Sequence, residues 1–166
     1  MAASSPQILP PDEYVARLAK KRMAAGVLFR NEQDQVLLLR THYKPHLEIP
    51  GGAVETGEAP WTTATRELVE ELSWDRPLGR LLVLDHVLPH DDWPEGMLYL
   101  FDGGLINQTD RDSMVFRDGE VLAADFWDLN EARAQMKSLV ADRVAAGLEA
   151  LAEGVTVWCE HGRRVA

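Results

Sequence analysis

The run Val36-Leu37-Leu38-Leu39 limits what this chain can fold into more than any other stretch. Four apolar residues in a row, without alternation, do not suit a strand with one wet face; they predict a strand covered on both faces. Such a sheet needs helices, and the chain supplies them. Apolar runs over 24–29 and 35–39, separated by Arg30-Asn31-Glu32-Gln33-Asp34, predict a hairpin with a loop of several residues. Helical patterns follow from near Pro60 to about Leu72, over 130–136 and over 139–152, and further strands over 81–87, 97–101 and 125–129. Strands mixed with helices point to an α/β layered domain. A short helix is expected after Pro10-Pro11-Asp12, packing Tyr14, Val15 and Leu18 on the domain's edge and ending in Lys20-Lys21-Arg22. Residues 1–9 read as a flexible arm, 10–166 as a single domain ending in a helix and a short tail, and 107–119 as a long polar loop.

Composition narrows the function. With 17 Lys and Arg against 27 Asp and Glu, the net charge of −10 repels polyphosphate backbones, so nucleic-acid polymers are not expected partners. A nucleotide-sensing regulator that binds DNA is disfavoured by that charge and by a length of 166 residues. No apolar run reaches the roughly 20 residues needed to cross a bilayer. The opening Met1-Ala2-Ala3-Ser4-Ser5 lacks the pattern of a secretion signal, and the single cysteine, Cys159, cannot form an internal disulfide. A cytoplasmic protein without membrane contact is expected. Cys159 and His161 fall short of a zinc set and read as surface residues.

The chemistry is concentrated in one helix. At 3.6 residues per turn, Trp61, Ala64, Thr65, Leu68 and Leu72 share a mostly apolar face, while Glu67, Glu70 and Glu71 fall together on another. Like charges four apart cost roughly 0.2–0.5 kcal/mol, a cost that a cation relieves. An acidic ridge beside the Pro50-Gly51-Gly52 turn is therefore a reasonable Mg²⁺ platform, because Mg²⁺ takes one or two carboxylates and fills its octahedron with water and phosphate oxygens. Arg66, four residues before Glu70, can hold that carboxylate or a neighbouring one.

Counted from Gly52, five residues precede Glu58 and seven more precede Arg66-Glu67, followed by Leu68, Val69, Glu70 and Glu71. This spacing resembles the Nudix box, the signature of the Nudix hydrolase family, with its fixed positions matched by Gly52, Glu58, Arg66, Glu67, Glu70 and Glu71. The lead-in from Leu47 to Glu55 is similar too, and the resemblance extends over about 24–151. Ser73 replaces the family's closing glycine and Trp74 its aliphatic residue. A Ser held in the left-handed conformation there is strained by roughly 1 kcal/mol.

The resemblance implies a Nudix-type α/β/α sandwich with a mixed central sheet, and Mg²⁺- or Mn²⁺-dependent hydrolysis of a diphosphate linkage in a nucleoside diphosphate derivative. It implies Glu67 and Glu71 as principal metal ligands, Glu70 sharing that work, the Gly51 carbonyl completing the first shell, and Glu58 and Arg66 in support. A further loop glutamate assists in many members, and Glu120 is the best placed by chain order. Pro89, 16 positions after Ser73, matches a family marker of ADP-ribose hydrolysis and tilts the expectation towards ADP-ribose or a nucleoside diphosphate sugar. The alternatives are a nucleoside triphosphate pyrophosphohydrolase and a nucleotide-binding module without turnover. Isomerisation of a prenyl diphosphate is not expected, since no cysteine precedes the box. A homodimer is possible. His86, His90, Asp91 and Asp92 are candidates for the cleft, and Trp93 and Phe116 for stacking on a base.

Overall fold

The computed structural model describes residues 9–91, 93–117 and 119–166. The arm expected over 1–9 lies almost wholly outside them, as does Asp92. Helix α1 (Pro11–Ala16) comes first, followed by strands β1 (Arg22–Arg30), β2 (Val36–Thr41) and β3 (Gly51–Ala53) and helix α2 (Pro60–Leu72). Strands β4 (Leu81–Val87) and β5 (Gly96–Leu105), helix α3 (Gln108–Asp112), strand β6 (Val121–Trp127) and helix α4 (Leu129–Ala132) come next. Helix α5 (Ser138–Glu153) and strands β7 (Val157–Glu160) and β8 (Arg163–Arg164) complete the described fold.

The sheet runs β6-β2-β1-β5-β4-β7-β8, with β3 paired to β1 off that path. It is mixed: β1 lies parallel to β5, β4 parallel to β7, and the remaining pairs are antiparallel. Val36 to Leu39 are all buried, and their alternation serves two cores. Leu37 and Leu39 join Ala25, Val27 and Phe29 beneath Ala64, Leu68 and Leu72 of α2. Val36 and Leu38 join Leu28, Leu82 and Leu100 beneath Ala141, Val144 and Ala150 of α5. Helices on both faces of one sheet make the α/β/α sandwich. Each fully buried leucine contributes roughly 1.5–3 kcal/mol relative to exposure.

Several expectations need correction. Tyr14, Val15 and Leu18 are exposed, and α1 stops at Ala16, before the basic residues. Strand β6 starts four residues earlier than the expected 125 and ends at Trp127. A capped helix, α3, interrupts the long loop; Asn107 accepts from the Asp110 N–H while Asp110 accepts from the Asn107 N–H. Cys159 is not a surface residue. Val157 and Cys159 alternate inward on β7 and are buried, and burial lifts the Cys159 thiol to about 11. The tail is thus a hairpin completing the sheet's edge. Beneath it, Asp85 of β4 accepts from Arg143 Nε of α5 at 2.7 Å and from the Gly162 N–H at 3.0 Å, a buried clamp joining three elements.

Candidate active site

Helix α2 begins at Pro60, whose missing N–H costs nothing in a first turn, and exits through Ser73 at φ 52°, ψ 39°. The Ser73 and Trp74 amides donate back to the Val69 and Leu68 carbonyls at 3.0 and 3.2 Å, so the left-handed exit expected of the box survives without its glycine. Trp74 then packs on Phe29, ring centroids 5.5 Å apart. On the apolar face Ala64, Leu68 and Leu72 are buried, whereas Trp61 stays half exposed, edge-on to Phe101.

The acid face divides. Glu70 is exposed, but Glu71 is only 6% exposed, contrary to a common solvent-facing ridge, because it turns under the helix to accept the Gly51 N–H at 2.8 Å. Glu67 lies over the glycine turn. A Cβ at position 52 would run into Glu67 Oε1, with Cδ at 2.5 Å, so this close approach requires glycine. Gly51, at φ 136°, is equally constrained: a Cβ there would strike the Ala25 carbonyl oxygen.

Arg66 ties the carboxylates together. Its Nε donates to Glu58 Oε1 at 3.0 Å, its Nη1 to Glu67 at 2.9 Å and Glu70 at 2.7 Å, and its Nη2 to the Ala53 carbonyl at 3.3 Å. Glu58 also accepts from the Thr63 hydroxyl at 2.6 Å and the Glu55 N–H at 3.2 Å. Hydrogen bonds from Arg66, then Thr63, hold the Glu58 carboxyl down at about 2, and the same pairing raises the Arg66 pKa. Glu67 shifts the other way. Burial pushes its carboxyl above the usual range, with Glu70 and Glu120 adding to the push against the opposing charge of Arg66.

Glu120 directly precedes β6, its carbonyl accepts the His42 N–H at 3.0 Å, and its charge is among those acting on Glu67. Burial raises the Tyr43 pKa, and the charges of Glu120, Glu71, Glu48 and Glu67 add to that rise. The donor set is all oxygen, as hard divalent cations prefer, and its mutual repulsion is what a cation offsets. Among the described residues, no group of three or more His, Cys, Asp or Glu side chains is arranged to hold a metal by itself.

Beside the glycine turn opens a cleft of about 590 Å³ between the sheet and α5. Its carbon walls include Ile49, Leu98, Leu100 and Val140, and its cations include Lys44, Lys137 and Arg143. His90 and Trp93 line it as expected; His86 instead meets Lys21 Nζ at 3.0 Å, and Phe116 packs against the core under α2. Asp91 pairs with Lys137 at 3.3 Å. The sequence reading missed Asp85 and Arg143. Their signal was present: Asp85 keeps step with Val83 and Val87, and Arg143 shares a helical stripe with Leu139, Ala146 and Ala150.

Residues 20–146 match the family model described as NUDIX domain. The chain is 45% identical over 64 residues to diphosphoinositol polyphosphate phosphohydrolase 2 of Rattus norvegicus, a stretch covering 37% of this chain and 36% of the rat protein. The match thus spans about a third of that relative's length. The MutT protein of Methanosarcina mazei Go1 superposes with a TM-score of 0.62 at 18% identity, covering 82% of this chain and 98% of that one. The NUDIX domain of Shewanella oneidensis NrtR, complexed with ADP ribose, superposes with a TM-score of 0.65 at 16% identity, covering 86% and 99%.

Proposed function

Because the chain belongs to the NUDIX domain family, we propose that it is a divalent-cation-dependent hydrolase cleaving a diphosphate linkage in a nucleoside diphosphate derivative. The observation that carries this reading is the Arg66 hub, which fans Glu58, Glu67 and Glu70 from one guanidinium while the Gly51 N–H aims Glu71 into the same turn. Glu67 and Glu71, with Glu70 and the Gly51 carbonyl, would hold Mg²⁺ or Mn²⁺. When bound, such an ion polarises phosphoryl oxygens and acidifies a coordinated water.

The chain's own residues do the rest. Glu58, kept ionised by Arg66 and Thr63, anchors the guanidinium, so that Arg66 presents Glu67 and Glu70 in fixed directions. Gly52 leaves room for the Glu67 carboxylate above the turn. Glu120, close enough to raise the Glu67 pKa, takes the proton from the attacking water on its carboxylate. The cleft receives the remainder of the substrate, its Lys44 and Lys137 ammoniums offsetting phosphate charge.

Within this class the reading favours ADP-ribose or a nucleoside diphosphate sugar. Pro89 stands 16 positions after the residue that occupies the box's left-handed exit, and it adjoins His90, which lines the cleft. Turnover of ADP-ribose, UDP-glucose, deoxynucleoside triphosphates and a diphosphoinositol polyphosphate, each with Mg²⁺ and with Mn²⁺, tests this. Release of nucleoside monophosphate from the first two, abolished by chelator, is expected. Preference for triphosphates or the inositol compound would overturn the substrate, and no turnover of any by folded protein would overturn the activity.

A further inference from the structure

The cleft contains a buried hydrogen-bond donor with nothing to donate to. Arg143 is only 4% exposed, its Nε is committed to Asp85, and its Nη2 has no hydrogen-bond partner. Buried polar groups are nearly always satisfied, so an orphan on a cavity wall marks where an acceptor comes from elsewhere. Asp85 does not satisfy it: its two oxygens accept from Arg143 Nε and the Gly162 N–H, and Nη2 is left without a partner. Arg22, the neighbouring guanidinium, is engaged otherwise: its Nε donates to the Pro94 carbonyl at 3.0 Å and its charge lies 5.1 Å from the Trp93 ring centroid. Both residues line the cleft, and burial, with the Arg143 charge adding to it, lowers the Arg22 pKa.

Asp85 already neutralises Arg143 at 2.7 Å, so the orphan N–H calls for an uncharged acceptor rather than a further anion. The surroundings agree. Leu98, Leu100 and Val140 supply carbon walls, and Trp93 and Tyr99 supply aromatic ones, a setting for a flat ring with polar edges. We propose that Arg143 is a specificity-determining residue, its Nη2 donating to a ring nitrogen or carbonyl oxygen on the heterocycle of a nucleotide seated in this cleft. The proposal rests on the nucleotide reading given above and names the residue that selects for it.

The test compares the wild-type protein with Arg143→Lys, which keeps a cation beside Asp85 and loses the Nη2 donor. Calorimetry measures binding of AMP, UMP and ribose 5-phosphate to each. The variant is expected to bind at least one mononucleotide tenfold or more weakly, with ribose 5-phosphate unchanged; loss for AMP alone assigns a ring nitrogen, and loss for UMP alone a carbonyl oxygen. In turnover, the ratio of kcat/KM on ADP-ribose or UDP-glucose to that on a diphosphoinositol polyphosphate should fall tenfold or more, mainly through KM. Equal losses with and without the heterocycle, or none, would overturn the proposal and leave Arg143 to the clamp and a water. Should the variant fail to fold, wild-type affinities for AMP and its 1-, 3- and 7-deaza analogues, and for UMP and its 2- and 4-thio analogues, decide: no tenfold loss anywhere overturns it. The binding arm is independent of turnover, so a catalytically silent protein that still discriminates in this way would refute the hydrolase reading alone.

Discussion

Gly52→Ala separates what the glycine turn does for activity from what it does for the fold. The new methyl would meet Glu67 Cδ at 2.5 Å, and ordinary contact begins at 3.4 Å, so the carboxylate must retreat by about 1 Å. Misplacement of a reacting or ligating group by that distance costs about 100-fold in rate. The obstacle is the far end of a flexible side chain and the backbone at Gly52 is not left-handed, so the fold should lose little, within about 1 kcal/mol or 2–4 °C in Tm for a chain this long. Gly57→Ala is the contrasting case. At φ 82° with open space around it, an added methyl strains the backbone by about 1 kcal/mol and touches nothing, so Tm should drop while kcat holds within about threefold. The assay is kcat on the best substrate at saturating Mg²⁺, paired with thermal melts. If Gly52→Ala kept kcat within threefold of wild type, the Glu67 carboxylate would not be needed where it lies, and the site as built here would be wrong.

Glu71→Gln should lower kcat at least about 100-fold with its fold intact, since the amide oxygen can still accept the Gly51 N–H while the ligand charge is gone; an active variant with unchanged metal dependence would show the ligands misplaced. Ser73→Gly should relieve the left-handed strain and raise stability by up to ~1 kcal/mol, less the greater freedom of glycine in the unfolded chain, and a clearly lowered Tm would contradict that. Glu58 titrates at about 2 in the folded protein against 4.5 ordinarily, so its stabilising contribution is complete above 4.5 and is lost as pH falls from there towards 2. Urea melts from pH 7 to 2 should show a loss in that window that Glu58→Gln reduces; an identical pH dependence in the variant would break the link to Arg66.

The carboxylate site was legible because it is local: every member of the Arg66 hub lies between Gly51 and Glu71, where spacing along the chain decides which groups meet. The span of α2 followed from Pro60 and its apolar stripe, and the uninterrupted Val36–Leu39 run announced a covered sheet. What escaped was non-local. Asp85 and Arg143 look like stray charges until β4 and α5 are packed together, and Cys159 looks exposed until β7 is laid beside β4. Strand β3 carries glycines where apolar side chains would signal a strand, because its work is to bring the backbone close to β1. Tyr14, Val15 and Leu18 misled in the other direction, periodic enough for a packed helix and yet exposed.

The sheet's connectivity also sets an order in time. Strand β1, which carries the Gly51-Gly52 turn on one edge, is held on its other edge by parallel pairing with β5, and β4 likewise waits for β7. Pairings between strands so distant along the chain are slow to form, because a long loop must close before any contact rewards it. During refolding the acidic helix can therefore come and go on its own turn, but the glycine seat beneath Glu67 and Glu71 becomes permanent only when the last long-range strands dock. Catalytic competence should accordingly return with the slowest phase of sheet assembly, behind the recovery of helical signal.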